Sequence, residues 1–302
     1  MTTGVHSVSP SAPLTLRAVA SRLGRYWTLL KSLQTGLLLL TAVAGYVSAC
    51  CTSLRAGTLA GMVGSLFLAV GGTTVLNMVW DRDIDALMPR TAARPLPAGE
   101  VQPAEAWLLG AALTLAGLLW ALAQNALFAA VVLAGVLLDW LVYTIWLKRR
   151  TPWSIVIGGL AGGMPVLAGR TLAAGSIDPV GLLLALAVLL WIPTHILTFS
   201  IRHQRDYACA GVPTFPAVCG VDATRRIIAA TTLLAAACLL TVSRMIGLPR
   251  VEMSILAAAG AALITLALIS ALRPSPRLNF ALYKCASLYM VAAMLLIVAG
   301  GL

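Results

Sequence analysis

Charge is what this chain has least of. Asp, Glu, Lys and Arg make up 10% of its 302 residues, ten of them acids, while 60% are hydrophobic. Water-soluble domains run near ~25% charged and ~45–50% apolar, so a soluble enzyme and a disordered chain are excluded together. Cysteine occurs six times (Cys50, Cys51, Cys209, Cys219, Cys238 and Cys285) but never in paired C-x2-C spacing. That excludes a zinc-ribbon site and gives no disulfide framework. Met1 to Pro13 is rich in Ser, Thr and Pro and lacks an apolar run, so it reads as a disordered tail and not as a cleaved leader.

What the chain has in abundance is long apolar runs. Nine can be drawn, at about 34–50, 58–79, 104–123, 126–146, 154–173, 180–200, 225–243, 253–272 and 281–301. Only helices and closed barrels satisfy their backbone in lipid, and runs near ~20 residues without period-2 alternation are helices. The expectation is an all-α polytopic membrane protein: one nine-span domain over 14–302. Residues 14–31 interleave Leu, Val, Tyr26 and Trp27 with Arg17, Arg22, Arg25 and Lys31, which suits a basic amphipathic helix on the membrane surface.

With the N-terminus in the cytoplasm, 17 of the 21 Lys and Arg residues flank the cytoplasmic face, leaving Arg55, Arg170, Arg244 and Arg250 outside. This agrees with the positive-inside rule and places the C-terminus outside a cytoplasmic membrane. The net charge of +11 is therefore mostly topology. No base-stacking or groove-reading motif accompanies it, so nucleic acid is not an expected partner.

Five of the ten acids lie between Asp81 and Glu105. The second run continues into Asn77-Met-Val-Trp-Asp81-Arg-Asp-Ile-Asp85, with no helix breaker until Pro89. At 3.6 residues per turn Asn77, Asp81 and Asp85 share one face, and Asp83 points elsewhere. Oxygen side chains stacked at a membrane boundary suit a hard cation such as Mg2+, which binds few carboxylates together with phosphate oxygens. Arg90 and then Arg94-Pro-Leu-Pro97-Ala-Gly99 follow at once. Acids beside arginines suggest a metal bridged to an anion, and diphosphate fits best. The plainer reading is a solvated helix end.

A weaker copy follows the sixth run, in Arg205-Asp206-Tyr207 and Gly211-Val-Pro213. This suggests a loose duplication, about 34–150 and 154–272 with the ninth helix added, whose acidic ends Asp81 and Asp206 face each other. The fourth run ends in Asp139-x3-Tyr143 and then Lys148-Arg149-Arg150. A charged Asp139 in hydrocarbon is costly, so it should line a pocket, while the basic triplet also fits simple anchoring. His195, in Trp191-Ile-Pro193-Thr-His195, is the only histidine within a run and is a candidate for contact with an acceptor. The small residues Gly158-Gly159 and Gly162-Gly163 fit helix packing or the approach of a flat ligand.

These blocks together resemble the UbiA-type intramembrane prenyltransferases, and within them the protoheme IX farnesyltransferases. The blocks are Asn77-x3-Asp81-Arg-Asp-Ile-Asp85 with Arg90-Thr and Arg94-Pro-Leu-Pro97-x-Gly99, Tyr143-Thr-x2-Leu-Lys148-Arg149-Arg150-Thr-Pro, and Asp206-Tyr-x2-Ala-Gly211-Val-Pro. The similarity runs from about Tyr26 to Gly220. Departures are Lys31-Ser32 for the family's Lys-Pro, Trp153-Ser154 where an Asn is usual, and Pro193-Thr-His195-Ile for Pro-Pro-His-Phe.

The resemblance implies a nine-helix fold around a central cavity, with Asn77, Asp81, Asp85 and Asp206 holding Mg2+ against farnesyl diphosphate. It implies Arg94 and Lys148, with Arg90 and Arg149, as the diphosphate cations, and His195, Tyr143 and Asp139 near the acceptor. That acceptor would be heme b, and the implied partners are membrane lipids and a downstream heme-modifying enzyme. Two other readings stay open: a prenyltransferase of the same type with an aromatic or lipid acceptor, and a secondary transporter, which would place its ionisable groups nearer the midplane.

Overall fold

The computed structural model describes residues 16–49 and 55–301; the tail expected over 1–13, together with Cys50 and Cys51, lies outside them. Among the described residues every regular element is helical. Helix α1 (Leu16–Leu29) leads into α2 (Ser32–Val47), α3 (Ala56–Trp80), the short α4 (Arg82–Leu87), α5 (Pro103–Gln124) and α6 (Ala126–Leu137). Without a break α6 continues as a π-helical segment, Leu138–Leu147. Then come α7 (Ser154–Ala174), α8 (Pro179–Arg202), the short α9 (Gln204–Cys209) and α10 (Phe215–Val218), α11 (Val221–Met245), α12 (Arg250–Leu272) and α13 (Pro276–Gly300).

The chain marks its own boundaries. Pro103, Pro179 and Pro276 open α5, α8 and α13, where the missing N–H costs nothing. Asn125, Asp178 and Ser275 cap α6, α8 and α13 by accepting from the N–H of Phe128, Gly181 and Leu278. Gly175 stops α7 at φ 72°, a conformation that favours glycine.

Eight of these helices are long and apolar enough to cross a membrane, with a ninth only if α1 and α2, bent by 48°, count as one span. Leu115, Leu119, Trp120, Leu268 and Leu272 stand exposed on the outer face. In water that surface would be untenable, but in hydrocarbon it is the ordinary one, and the protein is integral to a membrane.

Where the helices meet, small residues let the backbones touch. A methyl on Gly45 or Gly169 would strike the main chain of Val166 or Ala42, so α2 and α7 pack backbone to backbone. Gly72 and Gly117 do the same for α3 against α5. The glycine run on α7 is likewise packing: Gly158 faces the Tyr143 ring, Gly159 and Gly162 face Leu189 and Ile192, and Gly163 faces Ala185.

Three boundaries differ from the sequence reading. The first helical turn of α2 begins at Ser32, directly after a break at Lys31 (φ 44°, ψ 55°), so the basic segment and the first span form one bent unit. The uninterrupted helix expected through Asp85 turns at Asp81 (φ −87°, ψ 3°) before α4 resumes. The N–H of Asp81 still reaches the Asn77 carbonyl, and that of Asp85 reaches the Asp81 carbonyl, so the stripe survives the turn. The last helix starts at Pro276, ahead of the expected 281.

Candidate active site

Asp81 and Asp85 are both buried, 6% and 4% exposed, at one end of the bundle, whereas Asp83 faces outward. Each buried acid meets a cation from another segment. The Lys148 ammonium pairs with Asp81 Oδ2, and Arg94 Nη1 donates to Asp85 Oδ2 at 2.6 Å. The other oxygen of Asp81, Oδ1, is sealed from solvent and has no hydrogen-bond partner among the described residues. A buried carboxylate oxygen left unpaired is costly, and this one lies within an acid–cation cluster.

The segment after α4 explains how Arg94 arrives there. Thr91 Oγ1 donates to the Asp85 carbonyl at 2.7 Å and ends α4. Leu96 sinks into a cluster with Leu29, Val75, Met78, Val101 and Ala106. Gly99, at φ 74°, lets the chain turn back toward α5. In Arg90-Thr-x2-Arg94-Pro-Leu-Pro-x-Gly99, Thr91, Leu96 and Gly99 thus each have a mechanical task, and the guanidinium of Arg94 is what they deliver.

The π-helical segment supplies the facing wall. Its i→i+5 bonding, seen in Lys148 N–H to the Tyr143 carbonyl at 2.9 Å, brings Asp139 and Thr144 onto one face. In an α-helix they would lie ~140° apart. Both engage Asn77: its Nδ2 donates to Asp139 Oδ2 at 2.6 Å, and its Oδ1 accepts from Thr144 Oγ1 at 2.9 Å. Asp139 is therefore a positioning residue for Asn77. Tyr143 packs beside Gly158, with the Lys148 Nζ 5.9 Å from its ring centre. Burial pulls the Lys148 ammonium down, but the neighbouring Tyr143 and Asp81 oxygens outweigh it and hold the group above its ordinary value.

The remaining expected residues fall in two places. Arg149 turns to the rim, where its guanidinium grips Asp83 through two bonds (2.6 and 2.7 Å) and donates to the Trp80 carbonyl. It fastens α3 to the π-helical segment and does not face Asp81 or Asp85. Its guanidinium holds the Asp83 carboxyl below the usual carboxylate range. Arg90 reaches across to α8 and α9: its Nε lies 3.8 Å from Asp206 Oδ2 and its guanidinium 5.0 Å from the Phe199 ring centre. Asp206 also meets His203 Nδ1 at 3.2 Å. Below them Ile84 and Met88 pack on Ala210 and Val212, which seats α4 on the loop after α9. Among the described residues no three His, Cys, Asp or Glu side chains close on one point as a ready-made metal cage.

Two features escaped the sequence reading. Lys31, grouped there with the interfacial cations, sits at the α1–α2 break, and Arg94, Lys148, Asp81 and Asp85 all act on its charge. It is the one non-glycine residue with positive φ among the described residues, and Ser32 standing where the Pro of a Lys-Pro dipeptide is expected was the available signal. The second is a column of rings. Trp191, His195 and Phe199 on α8 and His203 just past its end recur every four residues, and Tyr283 of α13 stacks on His195 with centroids 4.6 Å apart. His195 belongs to this column, whose lower end meets Asp206 through His203.

The UbiA prenyltransferase family model matches residues 38–298. The chain is 36% identical over 277 residues to a protoheme IX farnesyltransferase of Pyrobaculum neutrophilum, covering 90% of this chain and 98% of that one. It is 44% identical over 206 residues to a protein of the same name from Korarchaeum cryptofilum, 68% of this chain and 69% of that one. Its fold is similar to a UbiA homolog from Archaeoglobus fulgidus bound to GPP and Mg2+, with a TM-score of 0.68 at 19% identity, over 90% of this chain and 99% of that one.

Proposed function

The chain belongs to the UbiA prenyltransferase family, and from that premise we propose that it moves a farnesyl group from farnesyl diphosphate to a vinyl group of protoheme IX, forming heme O. The observation that carries the reading is the stripe of buried acids cross-paired with cations, one carboxylate oxygen of which has no partner. The relatives' names supply the acceptor.

The donor set fits a divalent ion bridged to a diphosphate. Asp81 and Asp85 would hold it, with Asn77 and Asp206 completing the set, and the orphaned Asp81 Oδ1 is the atom a cation would satisfy. Bound Mg2+ supplies Lewis-acid stabilisation of the leaving oxygen. Lys148 and Arg94 keep the acids paired until a polyanion arrives and then turn to its oxygens, with Lys31 as a third cation. Arg90, beside Asp206, reaches the same polyanion from the second half. Asp139 and Thr144 hold the Asn77 amide in one orientation.

Transfer breaks the C1–O bond of the prenyl donor, and the diphosphate leaves with the electron pair. The vinyl carbon bonds to C1, water adds to the resulting cation, and a proton is lost. Stabilising the departing charge is the main catalytic task. Apolar helix faces exclude water that would quench the allylic cation first. The site end of the bundle faces the cytoplasm in this reading, in line with the basic flanks.

The test is incubation of the membrane-inserted protein with farnesyl diphosphate, heme b and Mg2+, followed by mass spectrometry of the pigment. Heme O is the expected product. Diphosphate release onto a different acceptor would leave the prenyl transfer and remove the heme. No Mg2+-dependent release from any prenyl diphosphate would remove the whole reading.

A further inference from the structure

The His195 ring is held unusually well for a side chain inside a membrane helix. Trp191 covers one face (centroids 5.0 Å apart, planes 17° apart) and Tyr283 the other (4.6 Å, 22°). Trp191 is itself fixed by its Nε1–H, which donates to the Ala286 carbonyl at 2.7 Å. The imidazole cannot tumble about its own axis without breaking both stacks.

Its protonation pattern follows from one hydroxyl. Ser287 Oγ lies 3.0 Å from His195 Nδ1 and 2.9 Å from the Tyr283 carbonyl. A serine hydroxyl has one proton to donate. The carbonyl oxygen can only accept, so the proton goes there. With the hydroxyl proton on that carbonyl, Nδ1 is the protonated nitrogen and donates to Ser287 Oγ, the one arrangement that makes a hydrogen bond of both contacts. The opposite assignment leaves two oxygens 2.9 Å apart with no hydrogen between them. The Nε2 of neutral His195 is thus a bare lone pair on the ring edge away from Ser287. It has no protein partner among the described residues and is not among the sealed polar atoms.

An imidazole clamped on both faces, with Nδ1–H tied to an oxygen and Nε2 open, is how proteins present histidine to a metal. We propose that His195 is the axial ligand to the iron of the porphyrin acceptor, through Nε2, and that Ser287 fixes the tautomer this requires. The α8 column and Tyr283 would then hold the flat substrate by its iron, while the acids and cations of the other half hold the diphosphate. This assignment rests on the heme reading above and adds to it a specific iron–nitrogen bond.

The experiment is a titration of the full chain, in detergent micelles, with ferric protoporphyrin IX, read by the Soret band and by electron paramagnetic resonance. The wild type is expected to give the spectrum of a nitrogen-ligated iron. His195→Ala should lose it, and added imidazole should restore it. Ser287→Ala keeps the ring but frees the tautomer, and should weaken iron-porphyrin binding about 10-fold. Metal-free protoporphyrin IX should bind the wild type and His195→Ala equally. An unchanged iron spectrum in His195→Ala overturns the ligand assignment, and with turnover also lost it makes His195 the base that takes the proton from water. Failure of the wild type to bind either porphyrin removes the heme reading itself.

Discussion

Ion pairs at least partly buried occur at both ends of this bundle, and they are built differently. At the far end Arg170 of α7 donates from Nε and Nη2 to both oxygens of Asp178 (2.6–2.9 Å), and from Nη1 to the carbonyl and hydroxyl of Ser48. Asp178 also caps α8 through the Gly181 N–H. Neither of its oxygens is idle, and three segments are locked together. At the site end Asp81 has a single cation and an orphaned oxygen, and Asp85 takes one bond from Arg94. A saturated pair is a fastener; an unsaturated one has room for a ligand.

The largest effect should come from emptying the unsaturated cluster. Asp81→Asn or Asp85→Asn keeps the shape and removes the charge, and turnover of the prenyl diphosphate should fall ~1000-fold. Lys148 or Arg94 loses its partner, so some thermal stability should go as well, but the loss of turnover should far exceed it. Full activity in either variant would dissolve the contrast between the two ends. The saturated cluster should behave in reverse. Arg170→Met strands a partly exposed carboxylate and should cost ~1–2 kcal/mol of stability, with activity per folded molecule unchanged. Arg170→Met with Asp178→Asn, which keeps the cap, should recover much of that loss. Equal losses of activity in the single and double variants would mean that the far end is not a mere fastener.

The sequence made some of this contrast readable and hid the rest. Apolar runs carry their own length, so the spans of α3, α5, α7, α8 and α12 could be drawn within a few residues. The acidic stripe was readable because Asn77, Asp81 and Asp85 are local in the chain. Which cation meets which acid was not: Lys148 and Asp81 are 67 residues apart, and only packing decides that Lys148 turns inward while Arg149 takes Asp83. The π-helical widening at 138–147 left no mark either, since wide and ordinary turns use the same apolar residues, and so Thr144 went unnoticed. The ring column was missed although its four-residue spacing lay in the sequence, because what it does depends on Tyr283 and Ser287 from α13.

Lys31 offers a smaller and sharper test, because strain and charge can be separated in one residue. A left-handed backbone at a non-glycine residue costs ~1–2 kcal/mol and persists where something else needs it. Lys31→Gly should therefore unfold at a higher temperature than the wild type. Its turnover at low prenyl diphosphate should fall ~10-fold, as one of four cations is lost. Lys31→Arg keeps the charge and should retain most activity. A variant that is more stable and equally active would return Lys31 to the membrane surface.

The smallest effect concerns acid. The Arg170 guanidinium beside Asp178, together with the Gly181 N–H, holds that carboxyl below the usual range. A carboxylate depressed on folding contributes stability above its unfolded pKa, near ~4, and loses it as pH falls through the folded value. The wild type should thus lose more thermal stability than Asp178→Asn between pH 6 and pH 3, a range set by ordinary carboxylate titration. Above about pH 5 the difference between them should be constant. Because Asp178 keeps a quarter of its side chain exposed, solvent screens part of the pair and the acid-dependent difference stays small. Parallel curves down to pH 3 would show that the Arg170 lock works by shape and hydrogen bonding alone. The far end would then differ from the site end in kind, since only the site end would depend on its carboxylates being charged.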